Sequence, residues 1–252
     1  MMNPAEFANI ARAEENFWWY RGMRQIMFRV LDPLAAERRF RQVLEAGCGT
    51  GHFAKVLQQR YRFPVTAVDL GWEGIHYARE FGLPRLAQAD IAALPFLARS
   101  FDLVLSMDVI VHFPRGEEDR AMSELVRVLA PGGTLIVRVA ALDWLRSRHS
   151  GFAHERQRFT KGRLESLATR HGIRVERCTY ANALLAPVAF SKFRIWEPIS
   201  RAAPQSGVQP VAPWLDRLLH FPLSLESRWI GRGGAFPLGQ SLILVGRKQA
   251  TS

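Results

Sequence analysis

The stretch Val43–Gly51 reads VLEAGCGTG, and eighteen residues after its last glycine Asp69 closes a second apolar run, PVTAVDL. Val43 and Leu44 continue a strand-like run, whereas His52–Arg60 (HFAKVLQQR) sets Phe53, Val56 and Leu57 on one helical face. Gly47, Gly49 and Gly51 therefore fall in a strand-to-helix turn. Glycine there tolerates positive φ and lets a ligand approach the backbone, and the helix that follows offers unpaired N–H groups at its start. Such a turn suits the carboxylate of an amino-acid-like cofactor as well as it suits a pyrophosphate.

Two adenosine cofactors compete for it. Gly49, Gly51 and Ala54 match the G-x-G-x-x-A dinucleotide fingerprint, and Asp69 lies about twenty residues on, where a ribose-binding acid belongs. Three features favour S-adenosyl-L-methionine instead. Glu45 precedes Gly47 by two residues and sets a carboxylate against the cationic aminopropyl end of that cofactor, whereas a pyrophosphate would be repelled. Asp90, in AQADIAALPF, closes a third strand-like segment as an acceptor for the adenine amine, with Ile91 beside it for the ring face. Phe101–Met107 (FDLVLSM) and Leu125–Ala140 (LVRVLAPGGTLIVRVA) add a fourth strand, a helix, a Pro-Gly-Gly turn and a fifth strand.

With these segments in place the chain resembles the class I S-adenosylmethionine-dependent methyltransferases along nearly its whole length. The likeness runs through Glu45–Gly51, Asp69, Asp90 with Leu94-Pro95-Phe96, Asp108 with His112, and Leu129–Gly133. A narrower likeness is to bacterial small-molecule methyltransferases with an N-terminal aromatic segment, here Asn16–Arg24 (NFWWYRGMR), and a basic-aromatic stretch, here His154–Thr160 (HERQRFT). The chain departs from that pattern at Gln157 and at Phe236-Pro237-Leu238-Gly239. The resemblance implies an α/β fold: a Rossmann-like seven-stranded sheet, mostly parallel with an antiparallel last strand, and helices on both faces.

It also implies roles. Gly47, Cys48, Gly49, Thr50 and Gly51 would contact the methionine portion, Asp69 the ribose hydroxyls, and Leu70 or Trp72 the adenine face. Asp90 and Ile91 would hold the adenine edge, and Met107 and Asp108 would floor the pocket beside the reactive methyl group, at the strand ends where open α/β sheets bind ligands. A general base helps if the acceptor is a hydroxyl. Candidates are His112, four residues after Asp108 and sharing a helical face with it, and His149 and His154 in the segment after the fifth strand.

Composition bounds the remainder. The 252 residues suffice for one large core with additions. Two distant cysteines and no Cys/His cluster imply a reducing compartment and no metal site. The polar N-terminus argues against a signal peptide, and no apolar run reaches spanning length, so the expectation is a cytoplasmic protein, at most peripheral to a membrane. The net charge of +11 is spread as scattered arginines, which reads as a general basic surface. After the fourth strand SMDVIVHF lacks the Asn/Asp-Pro-Pro-aromatic motif of amino-methylating DNA enzymes, and no Pro-Cys pair supplies a nucleophile for cytosine, so nucleic acid is not the expected partner.

The chain divides into a helical lid (1–40) with Phe17, Trp18, Trp19 and Tyr20, a cofactor-binding core (41–180), an insertion (181–238) and a final strand with tail (239–252). The insertion of about sixty residues, with prolines 187, 198, 204, 210, 213, 222 and 237, is longer than an idle link. Its apolar pieces Ala183–Phe190 and Trp214–Leu225 would close over the acceptor, finish the core, or meet a membrane with Arg194, Arg201, Arg217 and Arg228 toward phosphates. The expected activity is methyl transfer to oxygen or carbon of a small quinone-like, lipid-linked or secondary-metabolite acceptor. The rival expectations are a non-catalytic S-adenosylmethionine-binding module and an NAD-dependent oxidoreductase.

Overall fold

Val43–Ala46 (β1), Val65–Asp69 (β2), Leu86–Gln88 (β3), Phe101–Met107 (β4), Leu129–Ala140 (β5), Ile173–Ala181 (β6) and Ser241–Lys248 (β7) form one sheet in the order β3-β2-β1-β4-β5-β7-β6. Neighbours from β3 through β5 are parallel, and β7 runs antiparallel to both β5 and β6. The fold is thus the Rossmann-like methyltransferase sheet with its antiparallel last strand. The computed structural model describes residues 2–200, 203, 205–209 and 211–249. Arg201, Pro204 and Pro210 of the insertion and 250–252 of the tail lie outside the described residues.

The helices are Pro4–Ala13 (α1), Trp18–Glu37 (α2), His52–Tyr61 (α3), Trp72–Glu80 (α4), Glu118–Val128 (α5), Arg148–Phe152 (α6), Lys161–Arg170 (α7), Ala186–Ser191 (α8), Glu197–Ser200 (α9) and Pro213–Gly231 (α10). On one sheet face Met122 and Leu125 of α5 and Leu164 and Leu167 of α7 pack with Val104, Val137 and Leu244. On the other, Met23, Ile26, Met27 and Leu31 of α2 and Leu223 and Ile230 of α10 pack with Leu103, Leu105, Ile136 and Ile243. Each such side chain, buried from water, contributes about 1.5–3 kcal/mol.

The segment expected as a lid therefore splits. Only α1 and the first turn of α2 lie over the strand ends, while the rest of α2 is a core helix. The insertion splits likewise: α10 returns to the core beside α2, Leu185 packs on that same core with Ala186 and Ala189 buried beside it, and Phe190, Ile195, Trp196 and Ile199 are exposed. The two helices cross closely at Gly22, where an added Cβ would stand 2.6 Å from Leu223 Cβ. Gly22→Ala gains helix propensity of about 1 kcal/mol but overpacks this crossing by about 1–3 kcal/mol. Thermal melts are expected to show the variant less stable, and Gly22→Ala in a Leu223→Ala background less affected.

The site forms at the carboxyl ends of β1 and β4, where strand order reverses direction from the centre of the sheet. Across it lies α1, whose Phe7 is 2% exposed. The Phe7 ring fills space a side chain would occupy at Gly71 and Gly74, approaching an added Cβ at either to 2.6 Å.

Candidate functional site

All three glycines of the turn have positive φ: 84° at Gly47, 56° at Gly49 and 79° at Gly51. Packing requires two of them, since a Cβ on Gly47 would lie 2.2 Å from Val109 Cγ2 and one on Gly51 2.6 Å from Ala78 Cβ. Gly49 is different, for a Cβ there would meet nothing within 4 Å. Its backbone borders the open cavity, which is where a ligand can come against the chain.

Carboxylates surround this turn. Asp69 accepts from the N–H of Gly49 at 2.7 Å and of Gly71 at 2.8 Å. An ionised carboxylate has about four lone-pair sites, so Asp69 keeps acceptor capacity toward the cavity it borders. Burial raises the Asp69 pKa and the amide donors oppose that rise. Glu45, at 2% exposure, has Oε2 without a partner. Burial first, then the charges of Asp69 and Glu14, push its pKa up to about 8. Glu14, from the link between α1 and α2, accepts from Thr50 Oγ1 at 2.5 Å on Oε2 and has Oε1 without a partner. Its pKa is pushed up to about 7, chiefly by burial.

Two orphaned carboxylate oxygens at one cavity end call for a cation. The ammonium and sulfonium of S-adenosylmethionine complement them, whereas the pyrophosphate of a dinucleotide would meet three acids. Asp90 Oδ1 accepts from Ala92 N at 2.9 Å, and Asp90, Ile91 and Leu70 also border the cavity. Trp72 does not border it; it is 54% exposed with the Arg79 guanidinium 5.3 Å over its ring. Cys48 is buried, and burial raises its thiol pKa well above the ordinary value, which suits a filler and not a nucleophile.

Met107 ends β4 and borders the cavity. Asp108 adopts φ 59°, so it is not part of a helix, and the expectation that it shares a helical face with His112 is corrected: His112 closes a separate one-turn 3₁₀ helix, Ile110–His112. Instead Asp108 Oδ2 accepts two bonds from Arg138, Nε at 3.0 Å and Nη2 at 2.5 Å. The guanidinium of Arg138 sits 5.4 Å over Trp19.

The three histidines separate. His112 borders the cavity, and its Nδ1 lies 3.2 Å from the His154 carbonyl. A carbonyl only accepts, so Nδ1 carries the proton and Nε2 keeps a lone pair. Burial lowers the His112 pKa. His149 also borders the cavity, but its Nδ1 accepts from Gly207 N at 3.1 Å, leaving Nε2–H as a donor. Its pKa too is lowered by burial. His154 is exposed and outside the cavity wall; its backbone, at φ 59°, supplies the carbonyl that holds His112. Arg158, its companion in the basic stretch, is tied to Glu155, Ser150 and the Ala141 carbonyl.

The cavity measures about 1250 Å³. Pockets for one small ligand run about 300–1,000 Å³, so two molecules fit side by side. Beyond the acidic end its wall is formed by Trp18, Trp19 and Tyr20, by Phe193 and Trp196, and by Leu215 and Leu219 of α10. Tyr20 carries a hydroxyl whose pKa is raised by burial and by the nearby Glu6 and Glu14.

Residues 44–137 match the family model described as Methyltransferase domain. A malonyl-(acyl-carrier protein) O-methyltransferase of Enterobacter lignolyticus is 36% identical over 130 residues, 50% of this chain and 51% of that one. A 2-methyl-6-phytyl-1,4-hydroquinone methyltransferase of Synechocystis is 36% identical over 108 residues, 40% of this chain and 31% of that one. The chain thus spans about half, or less, of the length of these curated relatives. The fold is similar to that of the methyltransferase solved with the Trm112 activator of Haloferax volcanii, at TM-score 0.61 and 18% identity over 97% of this chain and 98% of that one.

Proposed function

This chain carries a class I S-adenosyl-L-methionine-dependent methyltransferase domain, and on that premise we propose that the protein methylates oxygen or carbon of a small acceptor with an apolar or conjugated body. One observation carries this reading. A single cavity has an acidic end built by Glu14, Glu45, Asp69 and Asp90 and an aromatic end walled by Trp18, Trp19, Tyr20, Phe193 and Trp196. The relative named for a phytyl hydroquinone supports the apolar, conjugated acceptor, and the one named as a malonyl-(acyl-carrier protein) O-methyltransferase supports transfer to oxygen.

The bound cofactor supplies an electrophilic methyl group. Glu45 and Glu14 hold its cationic end, Asp69 its ribose and Asp90 with Ile91 its adenine. The aromatic wall orients the acceptor and excludes water, so positioning supplies much of the rate. His112 takes the acceptor hydroxyl proton on Nε2, and the His154 carbonyl steadies the ring from Nδ1. His149, its Nδ1 occupied, donates from Nε2 and orients. We place the protein in the cytoplasm, with a small-molecule acceptor as its partner.

The test is an acceptor panel of hydroquinones, lipid-linked sugars and acyl thioester acids, incubated with S-adenosylmethionine carrying a labelled methyl group. The expected result is a product heavier by one methylene, by mass spectrometry. Tight cofactor binding with no transfer to any panel member or to a cell extract would instead identify a non-catalytic binding module.

A further inference from the structure

The outer face of α10 is apolar where a helix on the protein surface should be polar. Trp214, Leu218, Phe221, Leu225 and Trp229 are 67%, 59%, 61%, 39% and 53% exposed. Their spacings of four, three, four and four residues put them on one stripe. The core does not account for that stripe, since the helix meets the sheet through Leu223 and Ile230 on its opposite side.

Charge identifies what covers it. Arg217 and Arg228 are exposed at positions that flank the stripe, and Arg232 is exposed at its end. The two acids of α10 are both taken: Asp216 accepts from Trp18 N and pairs with Arg21, and Glu226 is buried and accepts from Leu184 N. The outward face is therefore apolar and cationic, in a chain of net charge +11. A second copy would set these arginines against their like, which disfavours self-pairing. Tryptophan at both ends of the stripe suits the water–lipid boundary, where an amphipathic ring is at home. Among the described residues no helix is long and apolar enough to cross a membrane, so the contact lies in the plane of the surface.

We propose that α10 docks this face on an anionic phospholipid bilayer. Leu215 and Leu219 of the same helix wall the cavity, and Trp196, 68% exposed, stands at both cavity and surface. The docked helix thus separates lipid from the cavity by its own thickness. The inference stands on the surface alone and not on the acceptor assignment.

Flotation of the full chain with phosphatidylglycerol-containing vesicles, against pure phosphatidylcholine vesicles, tests it. The wild type is expected to float with the anionic vesicles only, less so as salt rises, with a blue shift of tryptophan emission. Arg217→Gln and Arg228→Gln are each expected to weaken partition about fivefold, and Phe221→Ser about tenfold or more. All three variants should keep the wild-type melting temperature and S-adenosylmethionine affinity, which separates a failure here from a failure of the methyl-transfer reading. No flotation at low salt would overturn the proposal. So would flotation that the variants leave unchanged, or a dimer in sedimentation that Phe221→Ser dissolves without any lipid.

Discussion

Replacing His112 by asparagine is expected to lower kcat about a hundred- to ten-thousandfold for a hydroxyl acceptor, the usual worth of a positioned general base, with cofactor affinity unchanged. The expectation rests on the tautomer. Nδ1 is committed to the His154 carbonyl at 3.2 Å, so the lone pair is on Nε2, in a ring that borders the cavity. Burial lowers the His112 pKa from its ordinary 6.5, which keeps the base unprotonated at neutral pH and for some distance below. The wild-type pH profile should therefore show an acid limb lying below the ordinary imidazole value, and His112→Asn should abolish that limb along with the rate. His154→Asn is the informative control, because asparagine tolerates the left-handed backbone and retains the carbonyl. Near-wild-type turnover is expected from it. A large loss at His154 with little loss at His112 would reverse the assignment.

That contrast shows where the sequence could and could not be read. The glycine turn, Glu45, Asp69 and Asp90 were legible because each lies at a strand end, and strand ends follow from local periodicity and turn chemistry. The final strand, Ser241–Lys248, was legible for the same reason. Glu14 and Arg138 were not, since they reach the site only when the α1–α2 segment folds back over the strand ends and no local motif marks them. The histidine order depended on one residue's backbone: a left-handed turn at His154 turns its carbonyl, and not its ring, to the site. The first forty residues read as a lid because of NFWWY. Yet Met23, Ile26, Met27, Val30 and Leu31 recur at three- and four-residue steps, all buried, and that is the signature of a helix packed on a core.

Glu45→Gln is expected to weaken S-adenosylmethionine binding about tenfold to a hundredfold at pH 8, the usual worth of a hydrogen bond to a charged group, and to change how both binding and stability respond to pH. In the free protein the Glu45 pKa is pushed from 4.5 up to about 8. Between those values the unfolded chain has released a proton that the native state still holds, so the unfolding free energy falls as pH rises. The contribution of Glu45 to stability is whole below pH 4.5 and lost above about 8. Glutamine cannot ionise, so the variant without cofactor should melt above the wild type at pH 8 and close to it at pH 4.5. Binding runs in the other direction. A cationic ligand end favours the ionised carboxyl, so wild-type affinity should tighten up to about pH 8 with release of a proton, seen by calorimetry in buffers of different ionisation enthalpy. The glutamine variant should bind more weakly and release fewer protons, the remainder coming from Glu14, which borders the same end of the cavity and whose pKa is raised to about 7. A dinucleotide would give the opposite result, since removing a buried carboxylate from beside its pyrophosphate would improve binding and not impair it.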